Sequence, residues 1–126
     1  MNRLALIAAI LCVSPACAQD RFFTAIEDVP LAPGLEEAGP GFWFDDVNGR
    51  IVGAVASGPA RPNEVAGFYL ETLPALGWAV APGAGVDGEL VFQRGRERLA
   101  LAISPYYGGA QVETRLFIRP APSRRD

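Results

Sequence analysis

Five arginines and two tyrosines in the second half of the chain have the chemistry to hold a ligand. Arg94, Arg96 and Arg98 alternate around an expected turn, while Arg115 and Arg119 share the outward face of an expected strand. Convergent guanidinium groups bind carboxylate, phosphate or sulfate oxygens through paired N–H donors. Such a cluster would receive an anionic lipid, a glycan or an acidic protein surface. The plainer alternative is a solvated face in which Glu97 and Glu113 neutralise the arginines. Tyr106-Tyr107-Gly108-Gly109 follows Pro105 between two expected strands. Tyrosines beside glycines make a binding loop with apolar bodies and polar tips, or simply a hairpin whose rings cover a sheet edge.

The residue types that are missing exclude more than those present suggest. The 126 residues include no histidine, and lysine is also absent, so every basic side chain is an arginine. No Ser-His-Asp triad, imidazole ligand, Schiff-base lysine or P-loop lysine is available. Ser57, Ser104 and Ser123 have no imidazole or amine base to activate them. Gly83-Ala84-Gly85-Val86-Asp87-Gly88 matches the letters G-x-G-x-x-G. A dinucleotide loop must open a helix, and this one feeds a strand-like alternation, so it reads as a flexible hairpin connection. Asp45-Asp46-Val47-Asn48-Gly49 resembles the start of a calcium loop, but the twelfth position counted from Asp46 is Ser57 instead of a bidentate Glu. The doublets Glu36-Glu37 and Asp45-Asp46 point to opposite faces of a strand, so neither can flank one glycosidic bond. No catalytic residue, metal site or cofactor is assigned.

The first 18 residues read as an export signal. Arg3 supplies a positive start, Leu4 to Val13 is unbroken apolar sequence, and Ala16-Cys17-Ala18 is an A-x-A cleavage site before Gln19. A ten-residue apolar run is about half of what a helix needs to cross a bilayer. The competing reading is a lipoprotein signal cut before Cys17, for which Ser14-Pro15-Ala16 is a poor match. Cleavage after Ala18 leaves no cysteine, and ten arginines against fourteen acids. That balance argues against nucleic acid as a partner, because neutralising phosphates needs a dense basic face. The expected address is periplasmic or secreted.

The remaining sequence must position the candidate side chains. Residues 19–41 carry three prolines and the spaced apolar residues Phe22, Phe23, Ile26 and Leu31, which suggests an extended leader anchored on the domain. Residues 42–119 predict one α+β domain, and residues 120–126 a loose tail. Asn48-Gly49 suits a type I′ turn, and counting outward from it pairs Phe44 with Gly53 and Phe42 with Val55. Phe42, Phe44, Ile51 and Val55 then form a core face. Pro62 opens a helix in which Val65, Phe68, Tyr69, Thr72, Leu73 and Leu76 recur at three- and four-residue steps. Pro74 should kink it or end it near Leu73, and Gly77 is the expected left-handed cap. Strands follow: a short one from Trp78 to Ala81, then Glu89 to Arg94, Arg98 to Ser104 and Ala110 to Arg119. The predicted order is β-β-α-β-β-β-β, a two-layer sandwich with one amphipathic helix on a mostly antiparallel sheet.

The run Phe68-Tyr69-Leu70-Glu71-Thr72-Leu73-Pro74-Ala75-Leu76-Gly77-Trp78 resembles the F-Y-x3-L-P-x2-G-W helix-to-strand signature of a family of small exported bacterial proteins. Those proteins continue into strands like Leu90-Val91-Phe92-Gln93-Arg94, and Val29 to Leu35 is similar to a leader found in some of them. The resemblance implies a fold and an exported address. The family has no assigned activity, so it carries over no functional residue. Together these readings point to a non-enzymatic binding or accessory module of the bacterial cell envelope. Its expected partner is an envelope protein or a small anionic ligand. The alternatives are a small hydrolase or isomerase built on carboxylate, Tyr and Arg, and a lipid-anchored accessory protein.

Overall fold

The computed structural model describes residues 21–82 and 89–124. The export signal, the two readings of its cleavage and the glycine motif at 83–88 lie outside the described residues. The described residues form a mostly antiparallel open sheet with one helix, an α+β fold. Its elements are β1 (Glu36–Glu37), β2 (Phe42–Asp46), β3 (Gly49–Gly58), α1 (Pro62–Ala75), β4 (Ala79–Val80), β5 (Glu89–Arg94), β6 (Glu97–Tyr106) and β7 (Gly109–Ile118). The strand order is β1-β3-β7-β6-β5-β4, and β2 also pairs with β3. No helix among the described residues is long and apolar enough to cross a membrane.

The alternation in β5, β6 and β7 sets the covered face. Phe92, Leu99, Leu101, Val112 and Leu116 are buried, as is Thr114, whose hydroxyl donates to the Ala54 carbonyl at 2.9 Å. On β3 the covered residues are Val52, Ala54 and Ala56. This reverses the expectation for the first hairpin: Phe42, Phe44 and Ile51 are exposed, and Val55 is only half-buried. The turn differs too. Asp46 pairs with Gly49, so Val47 and Asn48 form its centre, and Phe42 and not Phe44 lies opposite Gly53. Positive φ falls on Gly49 alone, at 133°, which is not a type I′ geometry. The cause is local. The Asp46 carboxylate accepts the Asn48 N–H at 2.7 Å, closing the turn one residue early. Gly49 meanwhile passes so close to the Ile118 carbonyl that a Cβ would sit 2.4 Å from it.

Helix α1 buries Val65, Tyr69 and Leu73 against the sheet. It runs two residues past the expected stop near Leu73, to Ala75, with Pro74 tolerated near its end. Gly77 then takes φ 92°, and the N–H groups of Gly77 and Trp78 donate to the carbonyls of Pro74 and Leu73. That double bond pattern is a Schellman cap, and it drives Trp78 into the core.

The leader is not extended. It turns back on itself, with Phe23 N–H donating to Val29 and Leu31 N–H to Arg21. Phe23, Ile26, Val29, Leu31 and Leu35 are buried in the common core, while Phe22 is exposed. Tyr69 holds this loop on the helix: its hydroxyl donates to the Pro30 carbonyl at 2.8 Å and accepts the Ala32 N–H at 3.3 Å. Burial pushes that hydroxyl pKa well up, so it stays a donor throughout the working pH range. Tyr69→Phe strands both backbone groups in the core and is expected to lower stability by about 2 kcal/mol, measurable by urea denaturation.

Candidate binding surface

The face of the sheet opposite α1 is open, and the register fixes what lies on it. One row across the strands reads Phe44, Ile51, Phe117, Arg98, Gln93; the next reads Phe42, Gly53, Arg115, Ala100, Val91. Phe42 and Phe44 are 57% and 59% exposed, well above what a packed aromatic retains. The Phe42 ring lies directly over Gly53, where a Cβ would meet it at 2.2 Å. Aromatic residues thus occupy the β2–β3 side of the face, and arginines the side built by β7 and β6.

Arg98 and Arg115 are exposed diagonal neighbours, since Arg98 stands opposite Phe117 and Arg115 lies two residues back on β7. Among the described residues no carboxylate reaches either within ion-pair distance. The expected pairing with Glu113 is therefore absent; Glu113 and Glu89 flank Ala102 one row further along the sheet. At the end of the face, the tight turn at Gly95-Arg96 brings in two more arginines. Arg96 donates to the Arg119 carbonyl at 3.1 Å, and the Arg119 N–H donates back to Arg96 at 3.0 Å. Arg96, Arg98 and Arg119 surround a cavity of about 240 Å³ that Glu97 also lines and whose apolar wall is Phe117. Arg98 and Arg115 stand side by side with no ion-pair partner among the described residues, which is unfavourable in the free protein, and an anion relieves that repulsion.

Arg94 does not belong to this group. Strand parity places it on the helix side, where it bonds Asp28, donates to Glu97 at 3.2 Å and to the Leu76 carbonyl at 3.3 Å, and lies 4.2 Å above the Trp78 ring. Burial pulls its pKa down, but the hydrogen bonds it donates to Asp28 and Glu97 outweigh that and leave it raised. Its role is to hold the leader, the helix end and the β5–β6 turn together.

Tyr106 and Tyr107 sit at the other end of β6, eight residues from Arg98, or roughly 26 Å along the strand. The two rings meet edge to face at 4.7 Å, beside a shallow groove shared with Ser57 and Pro59. Tyr107 is 94% exposed and takes φ 43°, followed by Gly108 at 78°. These are the two positive φ angles of a type I′ turn, with a tyrosine where asparagine is favoured. Tyr107→Asn is therefore expected to raise stability by about 0.5–1 kcal/mol in a thermal melt.

The carboxylates that meet other groups serve the scaffold. Glu37 accepts both the N–H and the hydroxyl of Thr24 at 2.6 Å, Asp46 caps its turn, and Asp28 and Glu97 meet on Arg94. Among the described residues no group of three or more Cys, Asp or Glu side chains is placed to hold a metal ion. Sequence reasoning missed Phe42, Phe44 and Ile51 as surface residues. A strand with apolar residues at both parities does not reveal which parity is covered.

The chain matches no protein-family model, no curated protein and no solved structure. Its surface chemistry carries the functional reading.

Proposed function

We propose that this chain is an exported, non-enzymatic binding module of the bacterial cell envelope that takes an anionic, amphipathic ligand on the open face of its sheet. The observation that carries the reading is the pairing of Arg98 and Arg115, free of acidic partners among the described residues, with an apolar strip of the exposed Phe42, Phe44 and Ile51 and the half-buried Phe117. An anionic head would accept the guanidinium N–H donors while an apolar body lies along the aromatic rows. The reading takes the fold as two layers, helix and leader on one side and sheet on the other, so that the uncovered face is the working one. The periplasmic address rests on Arg3, the apolar run Leu4 to Val13 and the Ala16-Cys17-Ala18 site.

Calorimetric titration with dodecyl phosphate and dodecyl maltoside, both below their micelle concentrations, separates the head from the tail. The phosphate is expected to bind about tenfold tighter or more, from two charge-assisted contacts. Arg98→Glu/Arg115→Glu should erase that preference and leave maltoside binding unchanged. Equal affinity of the unaltered protein for the two detergents would rule the reading out.

A further inference from the structure

We infer that β2 is the contact strand of a symmetric dimer, in which two copies of this chain pair edge to edge and exchange ion pairs between Asp45 and Arg50. All five residues of β2 are exposed, and its outer edge has no strand partner among the described residues. The opposite sheet edge, β4, is two residues long and offers no comparable template.

The geometry of β2 is self-complementary. Because Asp46 and Gly49 close the hairpin, ladder alternation turns the N–H and C=O groups of Asp46, Phe44 and Phe42 toward β3. Those of Trp43 and Asp45 then point outward, and no backbone partner among the described residues takes them. An antiparallel copy centred on Phe44 sets Trp43 of one protomer against Asp45 of its partner, twice, and satisfies all four groups on each strand. The two Phe44 rings meet at the dyad. The same pairing uses up both β2 edges, so the assembly closes at two copies.

The charges select a second copy as the occupant. Arg50 stands directly opposite Asp45 in the hairpin register, yet the two are not within ion-pair distance. Instead the Arg50 guanidinium lies 5.3 Å from the centre of the Trp43 ring. In the dimer, Trp43 faces the partner's Asp45, which brings that carboxylate up to the displaced guanidinium. Each protomer thus offers one cation and one anion without an ion-pair partner among the described residues, at positions that match across a twofold axis. The contact is small beside a standard interface, so the dimer is expected to exchange with monomer in the micromolar range.

Sedimentation equilibrium from micromolar to near-millimolar concentration tests this. The unaltered protein should move from monomer to twice that mass and no further. Asp45→Arg places two arginines together at each contact, Arg50→Asp places two aspartates together, and both variants should weaken the dimer tenfold or more. Both changes are at exposed positions, and thermal melts would show the fold retained. An equal mixture of the two variants should dimerise again, since every contact then joins opposite charges. A protein that stays monomeric throughout, variants that dimerise like the parent, a mixture that does not recover, or growth past two copies would each overturn the proposal.

Discussion

Gly58→Ala is expected to cost about 3 kcal/mol and to lower the melting temperature by more than about 10 °C, although it adds one methyl group. A Cβ at Gly58 would lie 1.9 Å from the Gly34 carbonyl oxygen and 3.1 Å from the Leu35 Cα. Both obstacles are backbone, and neither can swing aside as a side chain would. Leu35 is buried, and β1 immediately after it pairs Glu36 with Ser57. On the other side, a Cβ at Gly109 would meet the Gly58 carbonyl at 2.0 Å. Leader, β3 and β7 therefore cross as three bare backbones, and the leader is the segment that must give way. Calorimetric melts should show Gly109→Ala losing a similar amount. Gly67→Ala supplies the contrast: its Cβ meets nothing within 4 Å in the interior of α1, so it should gain about 0.5–1 kcal/mol. A Gly58→Ala protein that melts with its parent would mean that the leader is not docked across β3.

The parts of this fold legible in the sequence are those whose signal is local. In β6 and β7, Leu99, Leu101, Val112 and Leu116 alternate with small or charged residues, so the buried parity is written into each strand. Gly77 announces the helix cap because only a residue tolerant of positive φ completes it. The outward placement of Arg98, Arg115 and Phe117 follows from the same alternation. The first hairpin resists this reading. Phe42 and Phe44 outweigh Val52, Ala54 and Ala56 in apolar area, yet the small residues are covered because the leader and helix pack on that side. Which face a remote segment covers is a long-range fact, and side-chain size does not encode it. The early turn is a third case: Asp46 competes for the Asn48 N–H, and the letters Asn-Gly do not reveal that competitor.

Arg94 shows the same limit at a single residue, and it yields the second large effect. Grouped by sequence with Arg96 and Arg98, it is separated from them by strand parity and tied to Asp28, 66 positions away. Arg94→Ala is expected to cost about 2 kcal/mol, the sum of a cation–π contact of the stronger kind and two partly exposed ion pairs. The loss is no larger because Asp28 is half exposed and remains solvated once its partner is gone. The greater part comes from Trp78, whose ring is buried and whose Nε1 has no hydrogen-bond partner among the described residues. Arg94→Lys separates the two contributions. An ammonium can follow Asp28 or Glu97, but it cannot lie flat over the indole while also reaching the Leu76 carbonyl, so it should recover less than half of the loss. Urea denaturation gives the free energies, and near-ultraviolet circular dichroism follows the packing of Trp78. If lysine restored full stability, charge alone would be holding the leader to the helix end; if alanine cost nothing, the stack on Trp78 would carry no energy, and the leader would have to be held by Tyr69 and its own buried side chains.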